Sequence, residues 1–348
     1  MRIACLQLNP VIGKIQSNIT KANQIIEKSL QQLDRPFDLL ILPELALTGY
    51  NYKSREHIEP YLEPTENGPT SRWAAEISRK YKCFTLVGYP EWNAEHKAIY
   101  NSAILTSPSG STIHHYRKTH LYESDVTWGC SESPDKAFNG FEFVLNKDFY
   151  TDNAPPSASI KAQVGICMDL NPYKFEAPFN AFEFSGACFR NQAKLILCPM
   201  AWLSQKSPSI AEESGKSDVD AVPIVQDDEK SIRYDLLYKK ELDVREQQKT
   251  EISTVDYWIL RFLPFLKHPM VEVTRYYNKV TLVCCNRTGQ EDNVLYGGSS
   301  SIIQFDSNAA NSTPTGTENK SVTLLGSLGV AQEGILVRDV EIVLRDRI

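Results

Sequence analysis

The sequence predicts a layered α/β protein, because strand-like and helix-like segments alternate along most of its 348 residues. Some segments repeat apolar residues at helical spacing, whereas others are short apolar or alternating runs that end at proline or turn residues. The composition, 42% hydrophobic and 23% charged, is that of an ordinary globular protein, which excludes a fully disordered or fibrous chain.

The N-terminal part of the chain contains two βα units followed by a hairpin. Apolar residues recur every three or four positions in 15–33 and 71–82, which predicts two amphipathic helices. The sequence Thr-Ser-Pro-Ser-Gly between the last two strands is typical of a hairpin turn. The predicted strands of this part are 3–8, 39–42, 84–89, 100–105 and 111–116.

Strand signals continue through the rest of the chain, with a further helix predicted at 251–266. Two polar stretches, near 204–248 and 307–320, interrupt the pattern, but strand and helix signals resume after each. We therefore expect one domain over 1–348 with two polar insertions, rather than independent domains joined by a linker. The remaining predicted strands are 164–166, 195–198, 280–284, 299–305 and 335–343.

Charge and cysteine content exclude several classes of function. The net charge of -6 offers no basic excess for a nucleic-acid backbone, and no apolar run approaches the ~18 residues of a membrane span. The eight cysteines contain no C-x-x-C pair, and the first ten residues do not resemble a secretory signal. We expect a cytoplasmic protein that binds neither nucleic acid nor membrane, and no H-E-x-x-H spacing indicates a metal ion.

Two charged residues stand directly after predicted strands, where the sites of α/β proteins gather. Glu44 follows the apolar run LLILP, and a carboxylate there is costly to bury unless it is paired or functional. It is either a general base or an ordinary loop or helix-capping carboxylate. Lys118 follows the strand that ends near Tyr116, and the alternative interpretation is a solvated basic loop.

A cysteine also follows a strand-like run, in the sequence AQVGICMDLNP. Backbone N–H groups of the following turn would stabilise the thiolate of this residue, Cys167, whereas the alternative is a buried structural cysteine. Together, a thiol, a carboxylate and an ammonium group supply the nucleophile, the base and the oxyanion stabiliser that amide hydrolysis needs. No G-x-S-x-G motif indicates a competing serine hydrolase.

These segments resemble those of the nitrilase superfamily of carbon–nitrogen hydrolases. LPELALTGY, YRKTHLYE and GICMDL are similar to the family's catalytic glutamate, lysine and cysteine segments, and CNRTGQED and YGGSSSI to its late segments. The resemblance implies a four-layer α-β-β-α sandwich and a mechanism without a cofactor. It implies Glu44 as general base, Lys118 as oxyanion stabiliser and Cys167 as nucleophile, with a thiol pKa lowered by the lysine. Glu132, in WGCSESP, matches the second glutamate of many members.

Within the superfamily, GICMDLNPYKFEAPF resembles the fungal branch of protein N-terminal amidases, which deamidate N-terminal Asn and Gln. The resemblance implies peptides and proteins with these N-terminal residues as substrates, with arginyl-transfer machinery as a downstream partner. A small-molecule amidase similar to ω-amidases is the competing function, and a catalytically silent scaffold is a third. The sequence does not indicate an oligomeric state.

Four residues near the predicted catalytic group are candidates for binding substrate. An N-terminal substrate carries a free ammonium group, so the site needs an acceptor near the scissile amide. Asp169 is the candidate carboxylate, and the alternative is that it caps a following helix. Asn171 is a candidate neutral acceptor, Tyr50 a candidate wall of the amide pocket, and the backbone N–H near Met168 a candidate oxyanion donor.

Overall fold

The computed structural model describes residues 1–145, 159–213, 238–240, 249–266, 276–309 and 319–342. The helices of these residues are α1 (Ile15–Leu30), α2 (Arg55–Ile58), α3 (Pro69–Tyr81), α4 (Glu123–Thr127), α5 (Glu183–Arg190), α6 (Pro208–Glu213) and α7 (Ile252–Leu260). The strands are β1 (Arg2–Gln7), β2 (Leu39–Ile41), β3 (Glu63–Pro64), β4 (Phe84–Asn93), β5 (Ala98–Thr106), β6 (Thr112–Arg117), β7 (Phe141–Val144), β8 (Ser159–Val164), β9 (Leu195–Met200), β10 (Tyr238–Lys240), β11 (Lys279–Asn286), β12 (Gln290–Glu291), β13 (Val294–Leu295), β14 (Ser301–Asp306), β15 (Asn319–Ser327) and β16 (Gly334–Asp339).

Two mixed sheets form the centre of the molecule. In the first, β1, β2 and β4 are parallel neighbours, β5 and β6 continue antiparallel, and β3 pairs with β4. In the second, β8, β9 and β11 are parallel, β14 and β15 continue antiparallel, and β7 and β10 lie at the two edges. The last strand, β16, returns to pair with β1. Apart from β16, the strands of the first sheet lie within β1–β6 and those of the second within β7–β15, and both sheets place three parallel strands beside two antiparallel ones.

The two sheets pack face to face, and helices cover their outer faces. Apolar side chains of β1, β2 and β4 meet those of β8, β9 and β11 in one buried cluster. The other face of the first sheet packs against α1 and α3, with Leu6 and Ile26 among the buried contacts. Helices α5 and α7 pack on the second sheet through Phe184 and Trp258. The α-β-β-α sandwich expected from the sequence is confirmed.

Most predicted elements are present, with shifted ends. Every predicted strand overlaps an observed one, and the helix predicted at 251–266 ends at Leu260, where a turn and a short 3₁₀ helix follow. The sequence did not predict β15 or the short elements of the chain, because segments of two to eight residues do not show a clear period. These short elements are β3, β7, β10, β12, β13, α2, α4, α5 and α6. The polar stretches 204–248 and 307–320 lie largely outside the described residues.

Across the described ranges, no helix is long and apolar enough to cross a membrane. The same residues bring no three His, Cys, Asp or Glu side chains together in an arrangement that could hold a metal ion. All eight cysteines are free thiols, and seven of them are buried.

Candidate active site

Three loops meet at one edge of the packed sheets, where β2, β6 and β8 end. Glu44 comes shortly after β2, Lys118 directly after β6, and Cys167 shortly after β8. The loop that carries Glu44 lies close against β4. A Cβ atom on Gly88 of β4 would be 2.9 Å from the Glu44 Cα, so this position requires glycine.

Glu44 is fully buried and accepts three hydrogen bonds. Its Oε1 accepts from Lys118 Nζ at 2.7 Å and from Asn101 Nδ2 at 2.6 Å, and its Oε2 accepts from the Ala201 backbone N–H at 2.8 Å. Burial raises the pKa of Glu44, the Lys118 charge opposes this shift, and the Asp125 charge adds to it. A carboxylate with a raised pKa is suited to take and return a proton near neutral pH.

Lys118 is also fully buried and lies between two carboxylates. Its Nζ donates to Glu44 and, at 2.6 Å, to Asp125 Oδ2, which leaves one of its three N–H donors for another acceptor. Burial alone would lower the Lys118 pKa, but the charges of Asp125 and Glu44 outweigh it, and the pKa lies well above its ordinary value. The ammonium group therefore stays charged, as stabilisation of an oxyanion requires.

The second carboxylate against Lys118 is Asp125, which the sequence pattern did not indicate. The loop after Lys118 forms the short helix α4, and Asp125 in its first turn also accepts from the Tyr122 backbone N–H. Glu132, expected as the second glutamate, instead accepts from the Tyr173 hydroxyl at 2.6 Å. Because α4 folds back toward the lysine, the structure places Asp125 and not Glu132 in contact with it.

Cys167 has a φ of 42°, a left-handed backbone conformation that is uncommon for a residue with a Cβ atom. It begins the 3₁₀ turn Cys167–Leu170, and only 8% of the residue is exposed. Burial raises the pKa of the Cys167 thiol well above its ordinary value, Glu44 raises it further, and Lys118 lowers it only in part. The lysine lowers the thiol pKa as expected, but burial and Glu44 outweigh it, so the net shift of the thiol pKa is upward. The resting thiol is protonated and needs a base.

Tyr50, Met168 and Asn171 surround this group. The Tyr50 ring is nearly buried and its centroid lies 5.6 Å from Lys118 Nζ. Met168 is the second residue of the turn that begins at the cysteine, and the first backbone N–H groups of a helical turn have no acceptor within the turn. Asn171 donates to the Met168 sulfur at 3.3 Å, and its Oδ1 accepts from the Tyr257 hydroxyl at 2.7 Å. Asn171 thus supports the turn, and its oxygen is already engaged.

Asp169 is fully buried, and groups of the chain itself occupy its carboxylate. It accepts from three backbone N–H groups and one tyrosine hydroxyl. One of these donors, the Ile166 N–H, makes Asp169 a cap of the turn Cys167–Leu170 to which it belongs, and not of a following helix as the alternative interpretation had it. The expectation that Asp169 binds the substrate ammonium group is contradicted, because no acceptor position remains free and the side chain does not reach solvent.

Comparison with known proteins places the chain in a family. Residues 2–170 match the carbon-nitrogen hydrolase family model. The protein N-terminal amidase of Saccharomyces cerevisiae is 31% identical, with 98% of this chain and 95% of that protein covered. The protein N-terminal amidase of Schizosaccharomyces pombe is 28% identical, with 98% and 100% covered. The chain belongs to the carbon–nitrogen hydrolase family and is an amide hydrolase. Within that family, it resembles protein N-terminal amidases over its whole length.

Solved structures agree with this placement. A crystal structure of an N-terminal amidase with a Gln-Gly peptide has a TM-score of 0.77 and 30% identity, with 99% of both chains covered. Another, with an Asn-Glu peptide, gives the same values. Nit3 of Saccharomyces cerevisiae, at 17% identity and a TM-score of 0.54, shares the fold alone. The nitrilase-like fold expected from the sequence is confirmed.

Proposed function

We propose that this chain deamidates N-terminal Asn and Gln residues of peptides and proteins, producing Asp and Glu and releasing ammonia. The observation that carries the proposal is the buried contact of Glu44 with Lys118 beside Cys167, in a chain similar over its whole length to protein N-terminal amidases. Structures of such relatives hold peptides that begin with Gln or Asn, which supports this substrate class.

The first half of the proposed reaction forms a thioester. Glu44 takes the Cys167 thiol proton, and the sulfur attacks the carbon of the side-chain amide. The carbonyl oxygen gains negative charge and accepts from the remaining Lys118 N–H and the Met168 backbone N–H. Protonated Glu44 then gives its proton to the leaving nitrogen, the C–N bond breaks, and ammonia departs.

The second half hydrolyses that thioester. Glu44, again ionised, takes a proton from water as the water oxygen attacks the thioester carbon. The same donors stabilise the second oxyanion, and the C–S bond breaks. The sulfur leaves as a thiolate and recovers a proton from Glu44, so the enzyme returns to its starting state with a carboxylic acid as product. Asp125 and Asn101 hold Lys118 and Glu44 in place throughout.

Glu132 is the proposed acceptor for the substrate ammonium group. The other carboxylates described above are engaged by the chain, whereas the Glu132 side chain is 23% exposed and accepts from the neutral Tyr173 hydroxyl. Lys136 is 3.8 Å away, but it is largely exposed to water and screened. The neighbouring Ser133 N–H donates to the Lys118 carbonyl oxygen at 3.0 Å, so Glu132 lies beside the lysine loop.

Glu132→Gln is expected to reduce kcat/KM for a free-amine Asn peptide by about 10–100-fold. This is the contribution of one charge-assisted hydrogen bond, here between the substrate ammonium group and the Glu132 carboxylate. The amide oxygen of Gln still accepts from Tyr173, so the loss reflects charge. The Nα-acetylated peptide should be hydrolysed at its wild-type low rate. Glu142→Gln is the matched control, since Glu142 on the edge strand β7 also accepts from a neutral hydroxyl, that of Ser159 at 2.7 Å, and should leave both rates unchanged. Equal losses on both peptides would remove Glu132 from ammonium recognition.

The proposed function is tested by ammonia release from five substrates: an Asn peptide, a Gln peptide, the acetylated Asn peptide, free asparagine, and a peptide with an internal Asn. We expect hydrolysis of the first two and much slower hydrolysis of the acetylated and internal amides. Equal rates on acetylated and free-amine peptides would instead favour a general amidase. Activity on small amides alone would favour an ω-amidase-like enzyme, and inactivity on every substrate a silent scaffold.

The domain organisation, the location in the cell and the downstream partner also belong to this proposal. We propose one hydrolase domain over 1–348, since β16, near the end of the chain, pairs with β1 in the first sheet and the two sheets share one buried cluster. We propose a cytoplasmic location, which the eight free thiols support. The acidic N-terminal residues produced would be substrates for arginyl-transfer machinery.

A further inference from the structure

Asp169 makes an unusually complete set of hydrogen bonds for a side chain so close to the nucleophile. Its Oδ1 accepts from the backbone N–H groups of Thr119 at 3.0 Å and His120 at 2.7 Å. Its Oδ2 accepts from the Ile166 N–H at 2.7 Å and from the Tyr116 hydroxyl at 2.8 Å. The four donors favour the ionised form of the carboxylate, whereas its burial raises the Asp169 pKa above the ordinary value.

The backbone donors to Asp169 lie next to Lys118 and Cys167 in the sequence, and these two residues follow strands of different sheets. Thr119 directly follows Lys118, whereas Ile166 directly precedes Cys167. Lys118 follows β6 of the first sheet and Cys167 follows β8 of the second. The buried Asp169 carboxylate therefore joins the loop that carries Lys118 to the loop that carries Cys167 by hydrogen bonds. The two loops belong to different sheets and are distant in sequence.

The same residue also stabilises the strained conformation of the nucleophile. The Asp169 backbone N–H donates to the Ile166 carbonyl oxygen at 2.9 Å, while its carboxylate accepts from the Ile166 N–H. This reciprocal pair closes a ring around Cys167, whose φ is positive. A left-handed residue with a Cβ atom persists only where its surroundings fix it.

We propose that Asp169 is a positioning residue that sets the distance and direction between the Cys167 sulfur and the Lys118 ammonium group. It touches no substrate and acts through these two residues. An asparagine in its place would turn an NH₂ group toward two of the donors, so the two loops would move apart. Because displacement of reacting groups by about 1 Å can cost about 10²-fold in rate, the loss should appear in kcat rather than in KM.

The test compares kcat, KM and the midpoint of thermal unfolding, with rates measured well below that midpoint. Asp169→Asn should lower kcat by about 10²-fold and change KM by no more than about threefold. Tyr116→Phe removes one donor and keeps the carboxylate, so it should fold and lower kcat by about tenfold. In the double variant, the two losses should not add, since both act through the same carboxylate.

Glu63→Gln is the matched control. Glu63 is equally buried and accepts from the backbone N–H and the hydroxyl of Thr70, but it has no bond to either catalytic loop. It should lower the unfolding midpoint without changing kcat. A folded Asp169→Asn enzyme with wild-type kcat, or a Tyr116→Phe enzyme that loses only stability, would overturn the proposal. A rise in KM alone would also overturn it, since it would make Asp169 a substrate-binding residue.

The proposal rests on the proposed chemistry but not on the preference for N-terminal residues. The measurement needs only an amide that the wild-type enzyme hydrolyses, so it is made with the best substrate of the panel. If the wild-type enzyme hydrolysed acetylated and free-amine peptides equally well, the proposed function on N-terminal residues would be wrong, but this test of Asp169 could still be made. Wild-type kcat in Asp169→Asn would remove the positioning role while the function stands.

Discussion

Replacing Cys167 by alanine is expected to abolish ammonia release while the fold survives. The residue supplies the sulfur that forms the thioester, and removal of a covalent nucleophile costs on the order of 10³-fold or more. The fold should persist, because alanine keeps the Cβ atom and only one sulfur atom is removed from the core. The measurement is ammonia release from an Asn peptide, with the unfolding midpoint recorded for the same preparation.

Cys188→Ala is the matched control for this variant. Cys188 is a fully buried thiol on α5, in the core and not at the strand ends, so its alanine variant should keep activity if it folds. Cys130 is less suitable, because its sulfur accepts from the Asn101 backbone N–H and Asn101 holds Glu44. Wild-type ammonia release by the Cys167→Ala enzyme would exclude the thiol mechanism.

Replacing Lys118 by methionine is expected to remove both activity and a large part of the stability. The variant leaves the carboxylates of Glu44 and Asp125 buried without their cation. Loss of one partner from a buried ion pair costs about 3–5 kcal/mol in the free energy of unfolding. Turnover should fall to the level of Cys167→Ala, because the oxyanion loses its charged donor. Denaturant unfolding at neutral pH and ammonia release check the two effects.

The stability of this variant should depend on pH in a defined direction. Without the lysine, burial and the charge of Asp125 hold the pKa of Glu44 above that of the unfolded chain, with no cation left to oppose them. The folded variant then binds more protons than the unfolded chain, so its stability falls as pH rises and recovers toward about pH 5. Lys80→Met is the control: Lys80 pairs with Glu27 on the exposed surface, and its loss should leave activity and pH dependence unchanged. Wild-type stability of Lys118→Met at neutral pH would show that the two carboxylates do not need it.

The sequence patterns were sufficient for a layered α/β protein and for three candidate side chains that each follow a recognisable strand. The resemblance to the nitrilase superfamily added the four-layer sandwich and the roles of the three side chains. Strand ends are local features, and parallel strands place their carboxyl ends at one edge of a sheet. The pairing of Glu44 with Lys118 then follows from the fold. Their complete burial did not follow, since burial depends on how loops from both sheets close over the site.

The predictions failed where the conformation of a loop decides the contact. Asp125 and Glu132 lie in the same loop, and only the turn of α4 brings Asp125 to the lysine. Asp169 lies in the nucleophile turn, which suggested contact with substrate, but three of its donors come from the two catalytic loops and the fourth is the Tyr116 hydroxyl of β6. The thiol pKa differed for a related reason, because the sequence indicates a nearby lysine and gives no measure of burial.

The central claim is that Cys167 forms a thioester with the side-chain acyl group of an N-terminal Asn or Gln. It is tested most directly by hydrolysis of an Asn peptide in the presence of hydroxylamine, with the products identified by mass spectrometry. We predict the side-chain hydroxamate beside the acid, since hydroxylamine competes with water for the thioester. The acetylated peptide should give little of either product, and the Cys167→Ala enzyme none. Rapid conversion to the acid alone, without hydroxamate at any hydroxylamine concentration, would contradict the account.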